Sequence, residues 1–210
     1  MKHNITIAVL GIAGAVAVGC ASMAHNDEAA LGAKALELMK ASFHEQGQAK
    51  LDRLDQDEVQ RVCSEYNGDR KIPKDVAERL EKAELAAIKY PTDGKYLGDW
   101  KNGERIAQSG VGMQFTDTAG AATGGNCYAC HELTKAELAF GNIGPSLYNF
   151  GKIRGYTPEM QKYAFGKVYN SEAFSACSNM PRFGHKGILN EQQIKDVVAL
   201  LMDPNSPVNK

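Results

Sequence analysis

At 210 residues the chain has room for one ordinary domain and a substantial extension, and two large catalytic domains are excluded. Hydrophobic residues at 43% and charged residues at 23% are ordinary for a globular protein, which sets aside extensive disorder and a polytopic membrane protein. Lysine and arginine number 24 against 25 acidic residues, so no basic excess exists to drive phosphate-dominated binding, and nucleic acid is not an expected partner.

Residues 1–24 read as a signal peptide. Lys2 supplies a positive start, and the uncharged run Ile5 to Val18 is shorter than the roughly 20 residues of a spanning helix. Two processing routes stay open. Ala17-Val18-Gly19-Cys20 resembles a bacterial lipobox, which would make Cys20 a lipidated first residue, whereas Ser22-Met23-Ala24 offers small residues to the ordinary signal peptidase. Either route delivers the chain to the periplasm, and a lipid at Cys20 would tether the protein without spanning the bilayer.

Residues 25–95 are expected to form a helical extension. Apolar residues recur at helical intervals: Leu31, Ala35, Leu38 and Met39, then Leu51, Leu54 and Val62, then Val76, Leu80, Ala83 and Ala87. Asn67-Gly68-Asp69 interrupts the pattern, Pro73 permits a new start, and Tyr90-Pro91-Thr92-Asp93-Gly94 closes it. The charged faces are read as solvated helix surface, with a docking face for a partner as the alternative.

Residues 96–210 have a different texture. Asp99 can cap a helix through Ala107, and Gln108 to Asn126 is a Gly-rich insertion. Thr157-Pro158-Glu159 opens another helix with proline at its first position. Asn190 and Gln193 make a capping box before the stripe Ile194, Val197, Val198 and Leu201, and Pro204 ends that helix. No run alternates as a strand does, so an all-α fold is expected.

The segment that carries chemistry is Cys127-Tyr128-Ala129-Cys130-His131. C-x-x-C-H is the spacing of c-type haem attachment: two thiols three apart on one turn join the two vinyl groups of one haem, and the adjacent histidine faces the iron. A thioredoxin-like pair would need a strand-helix setting, and a zinc site would need two further closely spaced ligands, whereas Cys63 and Cys177 stand far apart. One motif implies one covalently bound haem c.

A six-coordinate iron needs a second axial ligand. Met180 lies in the loop Cys177-Ser178-Asn179-Met180-Pro181-Arg182-Phe183-Gly184-His185, where a thioether can be presented to a haem face. His185 is the rival ligand, and Met113 and Met160 are weaker ones. Pro145, in Asn142-Ile143-Gly144-Pro145-Ser146-Leu147, can offer its carbonyl to the histidine nitrogen that does not bind iron, or can be a plain loop proline. Arg182 and Lys186 are read as solvated loop cations, with steering of an acidic partner as the alternative. Cys63 and Cys177 are a candidate disulfide in an oxidising compartment, but sequence does not supply the Cα separation that such a bond requires.

Several segments together resemble the SoxX family. They are Gly98-Asp99-Trp100-Lys101, Gly124 through His131, Gly144-Pro145-Ser146-Leu147, Ser175 through Gly184, and the ending Asp203-Pro204-Asn205-Ser206-Pro207-Val208-Asn209. SoxX proteins are monohaem c-type cytochrome subunits of the SoxAX complex of bacterial thiosulfate oxidation. The resemblance covers about residues 96–210 and implies a class I cytochrome c fold, with His131 and Met180 as axial iron ligands. It also implies a SoxA-like partner that bears the catalytic haem of an L-cysteine S-thiosulfotransferase. There thiosulfate is joined oxidatively to a cysteine of the carrier SoxYZ, and the electrons pass through the SoxX-like subunit to a soluble cytochrome c. A free-standing periplasmic electron carrier is the alternative, and a haem sensor with an open sixth position is a third reading.

Overall fold

The computed structural model describes residues 30–66 and 72–210; the leader 1–24 and Cys20 lie outside the described residues. The chain divides into two compact units, residues 1–46 with 50–54 and residues 47–49 with 55–210. Segment 25–95 is therefore shared between them, and from Asp55 onward it belongs to the same unit as residues 96–210.

In the first unit residues 30–42 form helix α1. The Ser42 hydroxyl donates back to the Leu38 carbonyl at 2.6 Å, a local bond that competes with the ladder at the helix end. A 3-10 turn, Leu51–Leu54, follows Lys50, which pairs with Glu45 at 3.1 Å.

The second unit contains α2 (Glu58–Glu65), α3 (Lys74–Ala86), α4 (Trp100–Gln108), α5 (Phe150–Arg154), α6 (Pro158–Tyr169) and α7 (Glu191–Met202). No β-strand occurs among the described residues, as the absence of strand alternation predicts. The helix starts follow local chemistry. Asp99 accepts from the Lys101 N–H at 2.9 Å, and Thr157 accepts from Met160 N–H at 3.3 Å with Pro158 at the first position. Asn190 and Gln193 satisfy each other's backbone N–H groups at 2.9 and 3.0 Å. Asp57 and Gln60 do the same for α2, both at 3.1 Å.

The principal core is built where α4 crosses α7. Ile194, Val197, Val198, Leu200, Leu201 and Met202 are buried, so α7 is covered almost all round. A Cβ on Gly103 of α4 would lie 2.1 Å from the Asp196 carbonyl oxygen, so the two backbones approach closely only because that residue has no side chain. Asp196 is 2% exposed. Its carboxylate accepts from the Asp99 N–H and the Gln192 amide, each at 2.9 Å, and from the Asn102 amide. Three donors replace the water that this carboxylate loses. From α6, Ala164, Phe165 and Val168 pack on the same core.

The C-terminal tail folds back as a 3-10 turn, Pro207–Asn209, with Val208 buried in the core. The Asn209 amide donates to the carbonyls of Leu201 and Asp203 at 3.0 and 2.9 Å, and its oxygen accepts from the Gly151 N–H at 2.9 Å, so the tail joins α5 to the end of α7.

A second, smaller core joins α2 to α3. Val59 and Val62 pack with Leu80 and with Ala176 from the loop before Met180.

Two predictions follow from this packing. Gly103→Ala should force the α4–α7 crossing apart and lower unfolding stability by about 1–3 kcal/mol in urea titration. The second concerns Asp57. Burial acts to raise its pKa, but hydrogen bonds from Lys186, the Gln60 N–H and Arg182 outweigh burial and hold the carboxyl at about 2. A depressed folded-state value stabilises above the unfolded value near 3.8 and loses that effect as pH falls toward about 2. The stability advantage of the parent over Asp57→Asn, followed by urea midpoints, should be constant above about pH 5 and shrink between pH 4 and 2.

Candidate functional site

The C-x-x-C-H motif is placed by both ends of the crossing. The Ile106 carbonyl at the end of α4 accepts from the Gly125 N–H at 2.8 Å, and the Ser109 carbonyl accepts from the Asn126 N–H at 2.9 Å. From the other side, Gln193 of α7 donates to the Thr123 carbonyl at 2.9 Å. The Gly-rich insertion thus returns to α4 before the motif. Cys127–Ala129 form a 3-10 turn entered through Asn126, a residue type that tolerates its left-handed φ of 45°. Tyr128 points into the core, and its hydroxyl donates to Glu104 at 3.0 Å and lies 3.3 Å from the Thr134 hydroxyl.

A second strip of backbone runs beside the motif. Gly141, Gly144 and Leu147 donate to the carbonyls of Tyr128, Cys130 and Glu132, each at 2.8 Å. This pairing sets the Pro145 carbonyl 2.7 Å from His131 Nδ1. A carbonyl only accepts, so Nδ1 carries the proton and Nε2 keeps its lone pair for a metal. Gly144 makes the approach possible: a Cβ there would stand 2.1 Å from Cε1 of the His131 ring.

Neither Cys127 nor Cys130 takes part in a disulfide. Burial pushes the Cys127 thiol up to about 12, opposite to the depressed value of a disulfide-exchange cysteine. Two cysteines three apart outside any disulfide, followed by a half-buried histidine whose Nδ1 is bonded to a carbonyl, suit covalent haem attachment and axial ligation. Among the described residues no cluster of three or more His, Cys, Asp or Glu is arranged to hold a metal ion directly.

Met180 is half-buried against the principal core. Its N–H donates to the Ser178 hydroxyl at 3.2 Å, and its carbonyl accepts from the Ser171 hydroxyl at 2.5 Å. His185 is engaged elsewhere: its Nδ1 lies 3.7 Å from Glu84 and 3.4 Å from the Asn170 amide. Burial, and the Arg182 charge after it, lower its pKa and favour the neutral ring. Met160 packs on the core from α6, and Met113 sits at a left-handed φ of 57° in the Gly-rich insertion.

The loop also departs from its sequence reading. Arg182 is not a solvated cation: it is 6% exposed and faces Asp57, Glu172 at 3.2 Å and Glu84 at 3.5 Å. Lys186 joins Asp57 at 2.7 Å. Burial raises the Glu172 pKa, with the Arg182 charge acting against it. Cys63 of α2 and Cys177 are joined in a disulfide with a Cα separation of 5.4 Å. Sequence reasoning passed over Asp57, Glu84 and Glu172, and named Gly144 without giving it a role. Of these, Asp57 carried a readable signal in its spacing to Gln60, while the others acquire meaning only from distant partners.

A sequence model described as cytochrome c matches residues 118–203. The chain is also 37% identical, over the full length of both proteins, to an uncharacterized lipoprotein of Aquifex aeolicus.

Gly144→Ala should displace the His131 ring from the Pro145 carbonyl. We expect a loss of about 1–3 kcal/mol in urea unfolding, together with faster solvent exchange of the His131 Nδ1 proton in NMR spectra.

Proposed function

The chain belongs to the cytochrome c family, and from that premise we propose that it is the electron-accepting, SoxX-like subunit of a SoxAX complex. Its all-α fold is that of a class I cytochrome c, and the family implies a covalently bound haem c with its iron. In this reading Cys127 and Cys130 would hold one haem covalently, and His131 and Met180 would ligate its iron. When bound, the group supplies one-electron uptake and release.

The observation that carries the electron-transfer reading is the 2.7 Å contact between His131 Nδ1 and the Pro145 carbonyl, next to the Cys127 and Cys130 pair. That contact fixes the orientation of the ring. A Met180 thioether as the second ligand would raise the reduction potential, as suits an acceptor. The narrower assignment is supported by the segments around Cys127 and Met180 and by the tail, whose buried Asn209 side chain is bonded to the backbone of Gly151, Lys152, Leu201 and Asp203. On this assignment a SoxA-like subunit bears the catalytic haem at which thiosulfate is joined to the SoxYZ cysteine. The present chain takes up the electrons and passes them to a soluble cytochrome c.

The same reading places the protein in the periplasm. A lipid on Cys20 would tether it, which the lipoprotein name of the Aquifex aeolicus relative supports. No described helix is long and apolar enough to cross a membrane.

Purification of the tagged chain from thiosulfate-grown cells, followed by a haem-stained gel, tests the assignment. We expect one haem band at the chain's own mass and a co-eluting second haem protein. A lone haem band would favour the free-standing carrier. Met180→Ala should abolish the Met-to-iron charge-transfer band of the oxidised protein, and an unchanged spectrum would remove Met180 from the ligand set.

A further inference from the structure

The segment 176–186 has no regular helix, yet α2 and α3 grip it at several independent points. The Cys63–Cys177 bond ties it to α2. Glu81 of α3 accepts from the Ala176 N–H at 2.9 Å, and the Ala176 side chain completes the core of Val59, Val62 and Leu80. Beyond Met180, Arg182 is enclosed by Asp57 at the start of α2, by Glu84 near the end of α3, and by Glu172. Lys186 adds a second bond to Asp57. The grip therefore acts on both sides of Met180.

Two features indicate that the loop is held in one arrangement by these contacts. Cys177 adopts a left-handed φ of 61°, which a non-glycine residue keeps only where its surroundings over-determine it. Arg182 is buried among carboxylates, and moving the loop outward would separate a desolvated guanidinium from three acids at once.

We propose that the α2–α3 pair is a clamp that keeps the Met180 thioether on the haem iron, with Cys63, Asp57 and Glu84 as positioning residues acting through Cys177 and Arg182. The inference rests on Met180 being an iron ligand. An external ligand can reach the iron only when the loop opens, so its apparent affinity measures the open fraction. A segment that only adds stability elsewhere would leave that fraction unchanged.

The test is imidazole binding to the ferric, haem-loaded protein. Asp57→Asn keeps the helix cap, since asparagine caps as well as aspartate, but removes the charge facing Arg182 and Lys186. We expect imidazole to bind about threefold more tightly to Asp57→Asn, and about tenfold more tightly to Cys63→Ser/Cys177→Ser. Hydrogen exchange should quicken at residues 178–186 in both. Parent affinity in Asp57→Asn overturns the clamp, whether or not the disulfide-free protein folds. Met180→Ala separates the two readings. If the parent has a Met-to-iron charge-transfer band and Met180→Ala loses it, ligation stands and the imidazole result judges the clamp alone. If Met180→Ala leaves the spectrum unchanged, the ligand assignment falls and takes the clamp with it.

Discussion

The close crossing of α4 and α7 sets the position of everything that follows it in the second unit. Gly103 lets the two backbones meet, and the Asp196 carboxylate, buried at that point, is satisfied by Asp99, Asn102 and Gln192. The end of α4 then receives Gly125, and the first turn of α7 receives Thr123, so the entry into the Cys127 turn is held from two helices. A looser crossing would move that turn relative to the core into which Tyr128 points.

From the turn outward, backbone hydrogen bonds do the positioning. The strip from Gly141 to Leu147 is laid beside Tyr128 to Glu132 by three N–H donors, and the Pro145 carbonyl arrives at His131 as a consequence. Proline has no N–H to compete at that position, and glycine before it leaves room for the imidazole. The histidine is thereby oriented by main chain alone, which is less easily disturbed than a side-chain partner with its own rotamers.

Two buried charges are handled differently. Asp196 accepts hydrogen bonds from uncharged donors of Asp99, Asn102 and Gln192, and it serves the helix crossing. Arg182 faces carboxylates drawn from Asp57, Glu84 and Glu172, and it joins segments far apart in the chain. Such a network contributes little net stability compared with apolar packing but strongly disfavours other arrangements of the loop that carries it. The disulfide adds a covalent limit across a sequence separation of 114 residues, where chain entropy in the unfolded state is large. The α2–α3 pair is thereby bound to the loop that holds Met180.

What the sequence determined by itself was whatever depends on neighbours a few residues apart. The caps at Asp99, Thr157 and Asn190, the absence of strands among the described residues and the apolar stripe of α7 were all legible, because each is set by spacing within one or two turns. The C-x-x-C-H motif belongs to the same class, since its chemistry is written into five consecutive residues. Cys63 and Cys177 could be named as candidates, but only the fold supplies the 5.4 Å between their Cα atoms. Arg182 was misread as a solvated cation, because its acids at 57 and 84 lie beyond any local pattern. The same holds for Gly103 and Gly144, which look like ordinary glycines until another backbone or a ring comes within van der Waals distance. Burial and long-range proximity are properties of the folded chain as a whole, so only the tertiary structure decided them.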